Sequence, residues 1–188
     1  MPLNRNLHPS LLALAWGALC GARSMLPLAL LSQRVKPTSH ASRLQHHLSS
    51  PTMKGAVQTM AALELAADKA SFMPARTSPP ALLGRALNGA LLGALSAAPM
   101  SPLERATCTP PKESKMLGLM LLASLGASAA VGATYATYHA RRLASKHWGL
   151  SNATAGLLED ALVVAIASKL GTSISQHADP SPHPGASP

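Results

Sequence analysis

Apolar residues in this chain gather into five blocks separated by polar, proline-bearing stretches. The cleanest block, Met116–Tyr135, runs twenty residues without a charge. At about 1.5 Å of rise per residue, a helix of that length crosses a hydrocarbon core about 30 Å thick. Lys115 bounds it at one end and Tyr138, His139, Arg141 and Arg142 at the other. Tyrosine and arginine suit the headgroup zone. The first block, Ser10–Ser32, is also long enough to span. A cleaved leader is the rival reading, but it would put Cys20 three residues before the cut at Ala22, and the apolar run resumes at Met25–Leu31. A retained helix is therefore expected.

The other three blocks are shorter or carry charge. Gly55–Ala67 ends in Glu64, Asp68 and Lys69; Ala81–Ala98 contains Arg85 and Asn88; Ala155–Ile174 holds Glu159, Asp160 and Lys169. No stretch alternates polar and apolar residues with β-branched enrichment, which removes β structure. The expected fold is all-α: a polytopic transmembrane bundle of four or five helices occupying residues 10–175. Helices are expected near 10–32, 55–69, 81–98, 116–140 and 155–174. The second and third either span or form a re-entrant pair shielded by the rest. Residues 33–54 and 99–115 read as polar connectors, and the proline- and serine-rich 176–188 as a disordered tail.

Composition agrees with that assignment. Charged residues make up 12% of the chain, against roughly 25% in ordinary soluble domains. Aromatic residues are only 3%, too few rings for a conventional soluble core of this size. At 47% hydrophobic the chain is not intrinsically disordered either. The net charge of +9 lies largely in the connectors, where cations meet anionic lipid headgroups. No basic run is interleaved with aromatics, so the expected partner is the lipid bilayer and not nucleic acid. Cys20 and Cys108 form no CxxC.

Arg23 is the most informative single residue. Inside an apolar block a bare charge costs at least about 2.5 kcal/mol on insertion scales. Pro27, four residues on, has no N–H to give the Arg23 carbonyl and clashes with it, so a kink is expected. A guanidinium and a disrupted backbone at one depth make a polar locus, tolerated only where protein or a water-lined cavity covers it. Arg23 reads as a counter-ion or anion-contacting group, as a snorkelling arginine, or as a lock that fastens the bundle through an ion pair. Glu64 and Asp68 are spaced i,i+4 and share a helix face. They suit a proton relay or cation site, or else end the helix beside Lys69 and Arg76. Glu159 and Asp160 fall in early turns, where the helix dipole favours anions and Ser151 or Thr154 can cap. Charges in or beside the blocks balance, with Arg23, Lys69, Arg76 and Arg85 facing Glu64, Asp68, Glu159 and Asp160. That balance suggests a neutralised interior in which Arg23 or Arg85 pairs with Glu64 or Glu159.

Small residues mark packing faces. Gly17 and Gly21 form one GxxxG pair and Gly89 and Gly93 another, while Ser124, Ser128, Gly132 and Ala136 recur at steps of four. Each ridge lets a second backbone approach closely. Gly21 and Arg23 face opposite sides of the first helix, which therefore needs protein on two sides, in a compact bundle or a homo-oligomer.

HExxH, Walker-type, GxSxG and GxGxxG motifs are lacking, and His40, His46 and His47 have no fixed spacing that would hold a metal. Neither cofactor nor enzymatic chemistry is expected.

The sequence resembles a family of small bacterial multi-pass membrane proteins, the domain-of-unknown-function family numbered 4126. The resemblance rests on Gly21-Ala-Arg23-Ser24-Met-Leu-Pro27, on Glu64-Leu-Ala-Ala-Asp68-Lys69 followed by Pro74-Ala-Arg76-Thr77, on Gly84-Arg85-Ala with Asn88-Gly89-Ala, and on Glu159-Asp160-Ala161-Leu162. Members often carry a proline directly after the Asp-Lys pair; here Ala70 and Ser71 intervene. The family implies a bacterial inner-membrane location and no defined activity. Two functions are expected from the residues: a small transporter or channel-like protein for an ion or small polar solute, or a non-transporting scaffold.

Overall fold

A computed structural model describes residues 8–34, 43–67, 77–96, 112–149 and 151–176. The described residues are helical throughout their regular structure, without strands. Among the described residues seven helices follow in order: α1 Pro9–Ala22, α2 Leu26–Arg34, α3 Arg43–Ser49, α4 Pro51–Ala67, α5 Pro79–Leu95, α6 Lys112–Trp148 and α7 Asn152–Gln176. The all-α expectation holds, with a different division. The first block is two helices and not one kinked helix. The 33–54 connector contains α3 and the first turn of α4. The helix over the fourth block begins four residues before 116 and ends eight after 140. The 99–115 connector, up to residue 111, and all but the first residue of the 176–188 tail lie outside the described residues.

Several prolines that punctuate the sequence start helices here. Pro9 and Pro79 occupy the first turns of α1 and α5, and Pro51 opens α4. At that position the missing N–H would have had no helical partner, and the ring pre-sets φ. Ser50 caps α4 by accepting from the Met53 N–H at 3.3 Å. Ser151 caps α7 through the Thr154 N–H at 3.2 Å, while the Thr154 hydroxyl returns to the Ser151 carbonyl at 2.8 Å. Gly149, at φ +61°, stops α6; glycine adopts that left-handed geometry without a Cβ clash.

Three helices meet at glycines. A Cβ on Gly17 of α1 would strike the Gly126 carbonyl oxygen of α6, and one on Gly126 would strike the Gly89 carbonyl oxygen of α5. A Cβ on Gly89 would lie 2.5 Å from the Gly126 oxygen, and one on Gly21 would lie 2.7 Å from the Ala133 methyl. Gly93 abuts the Leu122 backbone. Gly17 and Gly21 therefore ascend α6 in the same direction as its own chain, while Gly89 and Gly93 descend it. α1 is parallel to α6 and α5 antiparallel. Both predicted GxxxG pairs lie in this contact.

The predicted α6 ridge does not. Ser124, Ser128, Gly132 and Ala136 are exposed, and nothing lies within 4 Å of a Cβ built on Gly132. The packing ridge is Leu122, Gly126, Ala130 and Thr134, displaced by two residues and so about 200° around the helix.

Trp16, Cys20, Leu92, Ala130, Val163 and Ala167 centre the buried core. Outward-facing positions are apolar as well: Leu63 and Leu158 are each 62% exposed, and Leu83, Leu87, Leu117, Met120 and Leu121 are also exposed. One helix, α6, is long and apolar enough to cross a membrane, over Glu113–His147.

Candidate functional site

The chain between α1 and α2 breaks fully at Arg23-Ser24-Met25. Arg23 is extended, at φ −137° and ψ 120°, and it is the residue whose carbonyl Pro27 would have struck in a continuous helix. Instead Pro27 is buried in the first turn of α2. A break leaves carbonyls free at the end of α1 and N–H groups free at the start of α2. Side chains from other helices meet them.

Glu64 of α4 accepts from the Ser24 N–H through Oε1 and from the Met25 N–H through Oε2, both at 2.8 Å. Met25 is the N-cap of α2, since its carbonyl accepts the Ala29 N–H at 2.9 Å. A carboxylate there satisfies orphan donors and meets the positive end of the helix dipole. Glu64 reaches the site because Val57 and Ala61, on the same face of α4, are buried. From α5, the Asn88 amide donates to Ser24 Oγ at 2.9 Å and to the Ser24 carbonyl at 3.3 Å. From α6, the Thr134 hydroxyl donates to the Gly21 carbonyl at 3.1 Å, in the last turn of α1. Three helices thus cap one break.

The Arg23 side chain turns to α7. Its Nε lies against Asp160 Oδ1, with Arg23 only 2% exposed. One residue earlier, Glu159 Oε2 is gripped by Arg141 of α6, whose Nε donates at 2.6 Å and whose second terminal nitrogen also bonds it. Gly156, one turn before this acidic pair, faces both guanidiniums: a Cβ there would lie 3.5 Å from Arg141 and 3.7 Å from Arg23. Val163, Ala167 and Gly171 continue the buried face of α7, and Gly171 packs on the Arg34 side chain. Asp160 beside Arg23 and Gly171 beside Arg34 make α2 and α7 parallel.

Measured against the sequence, the site gathers Arg23, Pro27, Glu64, Asn88, Glu159 and Asp160. Arg85 is also buried, at 7%, on the Gly89 face of α5. Asp68, Lys69 and Arg76 lie outside the described residues. Arg23 meets Asp160, Glu159 is held by Arg141, and Glu64 gives its oxygens to backbone. Sequence places Arg141 with the headgroup cations, yet Gly149 lies about midway between it and Glu159. A helical hairpin stopped at that glycine brings the two level. The break is also not central along α6. Thr134, level with Gly21, lies past the middle of the uncharged run, toward Tyr135 and Tyr138.

Among the described residues no three His, Cys, Asp or Glu side chains gather as a metal ion would require. Compared with family models, curated proteins and solved structures, the chain matches none.

Proposed function

We propose that this chain is a multi-pass helical protein of the bacterial inner membrane, working as a small transporter or channel-like protein for an ion or small polar solute. The observation that carries the reading is the broken helix, with ionisable groups from α4, α6 and α7 converging on and beside it. Ionisable residues inside a membrane domain are costly and commonly mark ion or solute pathways. Discontinuous helices with exposed ends are where membrane transporters hold their cargo. A continuous apolar helix in place of Arg23-Ser24-Met25 would avoid the desolvation cost of a buried ion pair. A break that costs stability favours a role beyond packing.

The distribution of side chains supports the membrane setting. Leucines face outward while Arg23, Arg85 and Glu159 face inward, the reverse of a water-soluble surface. In this reading α6 spans, α7 at 25 residues spans with it, and α1 with α2 crosses as a broken pair. The seventeen-residue α4 and α5 reach about 25 Å each, as short spans or a re-entrant pair. The motif resemblance to the small bacterial membrane family fits the same assignment.

A scaffold reading has one observation of its own: both Glu64 oxygens are already engaged by backbone. Proteoliposomes separate the two. Proton, potassium and chloride fluxes are followed with a pH-sensitive dye and ion-selective electrodes, beside membrane abundance. Transport predicts a wild-type flux that Glu64→Gln and Arg23→Ala abolish when flux is normalised to the amount of protein reconstituted. Absence of any wild-type flux, with both variants lost from the membrane, identifies the scaffold.

A further inference from the structure

The C-terminal turns of α6 carry a one-sided stripe. Tyr135, His139, Arg142 and Lys146 are spaced i, i+4, i+7 and i+11, which places them along one helix face. All four are exposed. Tyr138 stands beside them, edge-on to the His139 ring at 5.3 Å. From Ser114 to Leu158 the sequence contains no acidic residue. The neighbouring cation Arg141 is turned inward onto Glu159, whereas Arg142 and Lys146 point away from the bundle.

Length fixes where this stripe sits if α6 spans, and the inference rests on that proposed reading. Thirty-seven residues extend about 55 Å, well beyond a hydrocarbon core of about 30 Å. Met116–Tyr135 fills the core, so the turns from Tyr138 onward emerge from it. Exposed tyrosines then lie at the boundary, with Arg142 and Lys146 about 6 and 12 Å beyond Tyr138 along the helix. Tyrosine rings prefer the interface and juxtamembrane cations attract anionic lipids.

We propose that this stripe is a binding surface for anionic phospholipid headgroups, with Arg142 and Lys146 taking the phosphate and Tyr135 and Tyr138 seating against the glycerol and upper acyl region. Charge complementarity selects the occupant, because the charges of the stripe are the cations Arg142 and Lys146, set just beyond the hydrocarbon core. Its position one residue from Arg141 puts bound lipid next to the ion pair that fastens α7.

The test uses the full chain purified in detergent, with thermal unfolding measured after adding phosphatidylglycerol or phosphatidylcholine. Phosphatidylglycerol should raise Tm above the phosphatidylcholine value, and the difference should shrink in high salt. Arg142→Gln/Lys146→Gln should lose more than half of that difference, while Lys115→Gln, at the far end of α6, keeps it. A double variant that retains the full difference overturns the proposal, as does an equal rise with a short DNA duplex at matched phosphate concentration. The membrane reading is checked separately by alkaline carbonate extraction, so a carbonate-resistant protein without lipid preference refutes this surface alone.

Discussion

Removing Arg23 by itself leaves the Asp160 carboxylate partly buried without this cation, and removing Asp160 takes a carboxylate away from a guanidinium that is 2% exposed. Breaking one side of a buried pair costs about 3 kcal/mol, while replacing both partners with apolar residues of similar size is often near neutral. Arg23→Met and Asp160→Leu should each lower the thermal midpoint in detergent markedly, and the double variant should recover most of the loss. Additive losses would show that the two side chains do not act as a pair. Glu64 obeys different rules, since its partners are backbone N–H groups. Glu64→Ala should cost about 2 kcal/mol through two unsatisfied donors. At this scale the sequence announced which residues were polar but not how they paired. Glu159 and Asp160 differ by about 100° around α7, so the one facing Arg23 depends on helix rotation, which Val163, Ala167 and Gly171 set through packing.

Helix contacts make a sharper prediction from two glycines on one helix. A methyl at Gly126 would collide with the Gly89 carbonyl oxygen, whereas nothing lies within 4 Å of one at Gly132. Backbone cannot yield as a flexible side chain can, so Gly126→Ala should separate α5 from α6 and cost several kcal/mol, on the order of severe overpacking. Gly132→Ala should be neutral or stabilise by up to about 1 kcal/mol, because alanine is the better helix former. The contrast is read from thermal midpoints of the two variants. It also explains what the sequence could and could not disclose. The GxxxG pairs of α1 and α5 were legible, since each of those helices offers one such pair. α6 offers two small-residue ridges on opposite sides, and spacing alone cannot rank them. The break between α1 and α2 was legible as a kink from Pro27, but the capping that turns a kink into a full break comes from residues 40 or more positions away.

At the scale of the whole molecule, the proposed membrane reading has lipid or detergent cover the apolar exterior of the described helices. Leu63, Leu83, Leu87, Leu157, Leu158 and Leu162 are each more than half exposed, and exposed apolar surface gathered in patches marks an interaction or membrane face. After alkaline carbonate washing the protein should remain with the membrane pellet, and on detergent removal it should lose monodispersity. Recovery as a monomer in plain buffer would contradict the arrangement.

The capping of α2 by Glu64 also bears on how the molecule is built during synthesis. The donors at Ser24 and Met25 wait for a carboxylate that emerges some 40 residues later, and Arg23 waits for Asp160 until nearly the whole polypeptide exists. On the proposed membrane reading, a nascent chain stalled before α7 therefore inserts Arg23 before its Asp160 partner exists. Such intermediates are natural clients for quality-control proteases, and C-terminal truncations that remove α7 should be degraded even though every earlier helix is intact.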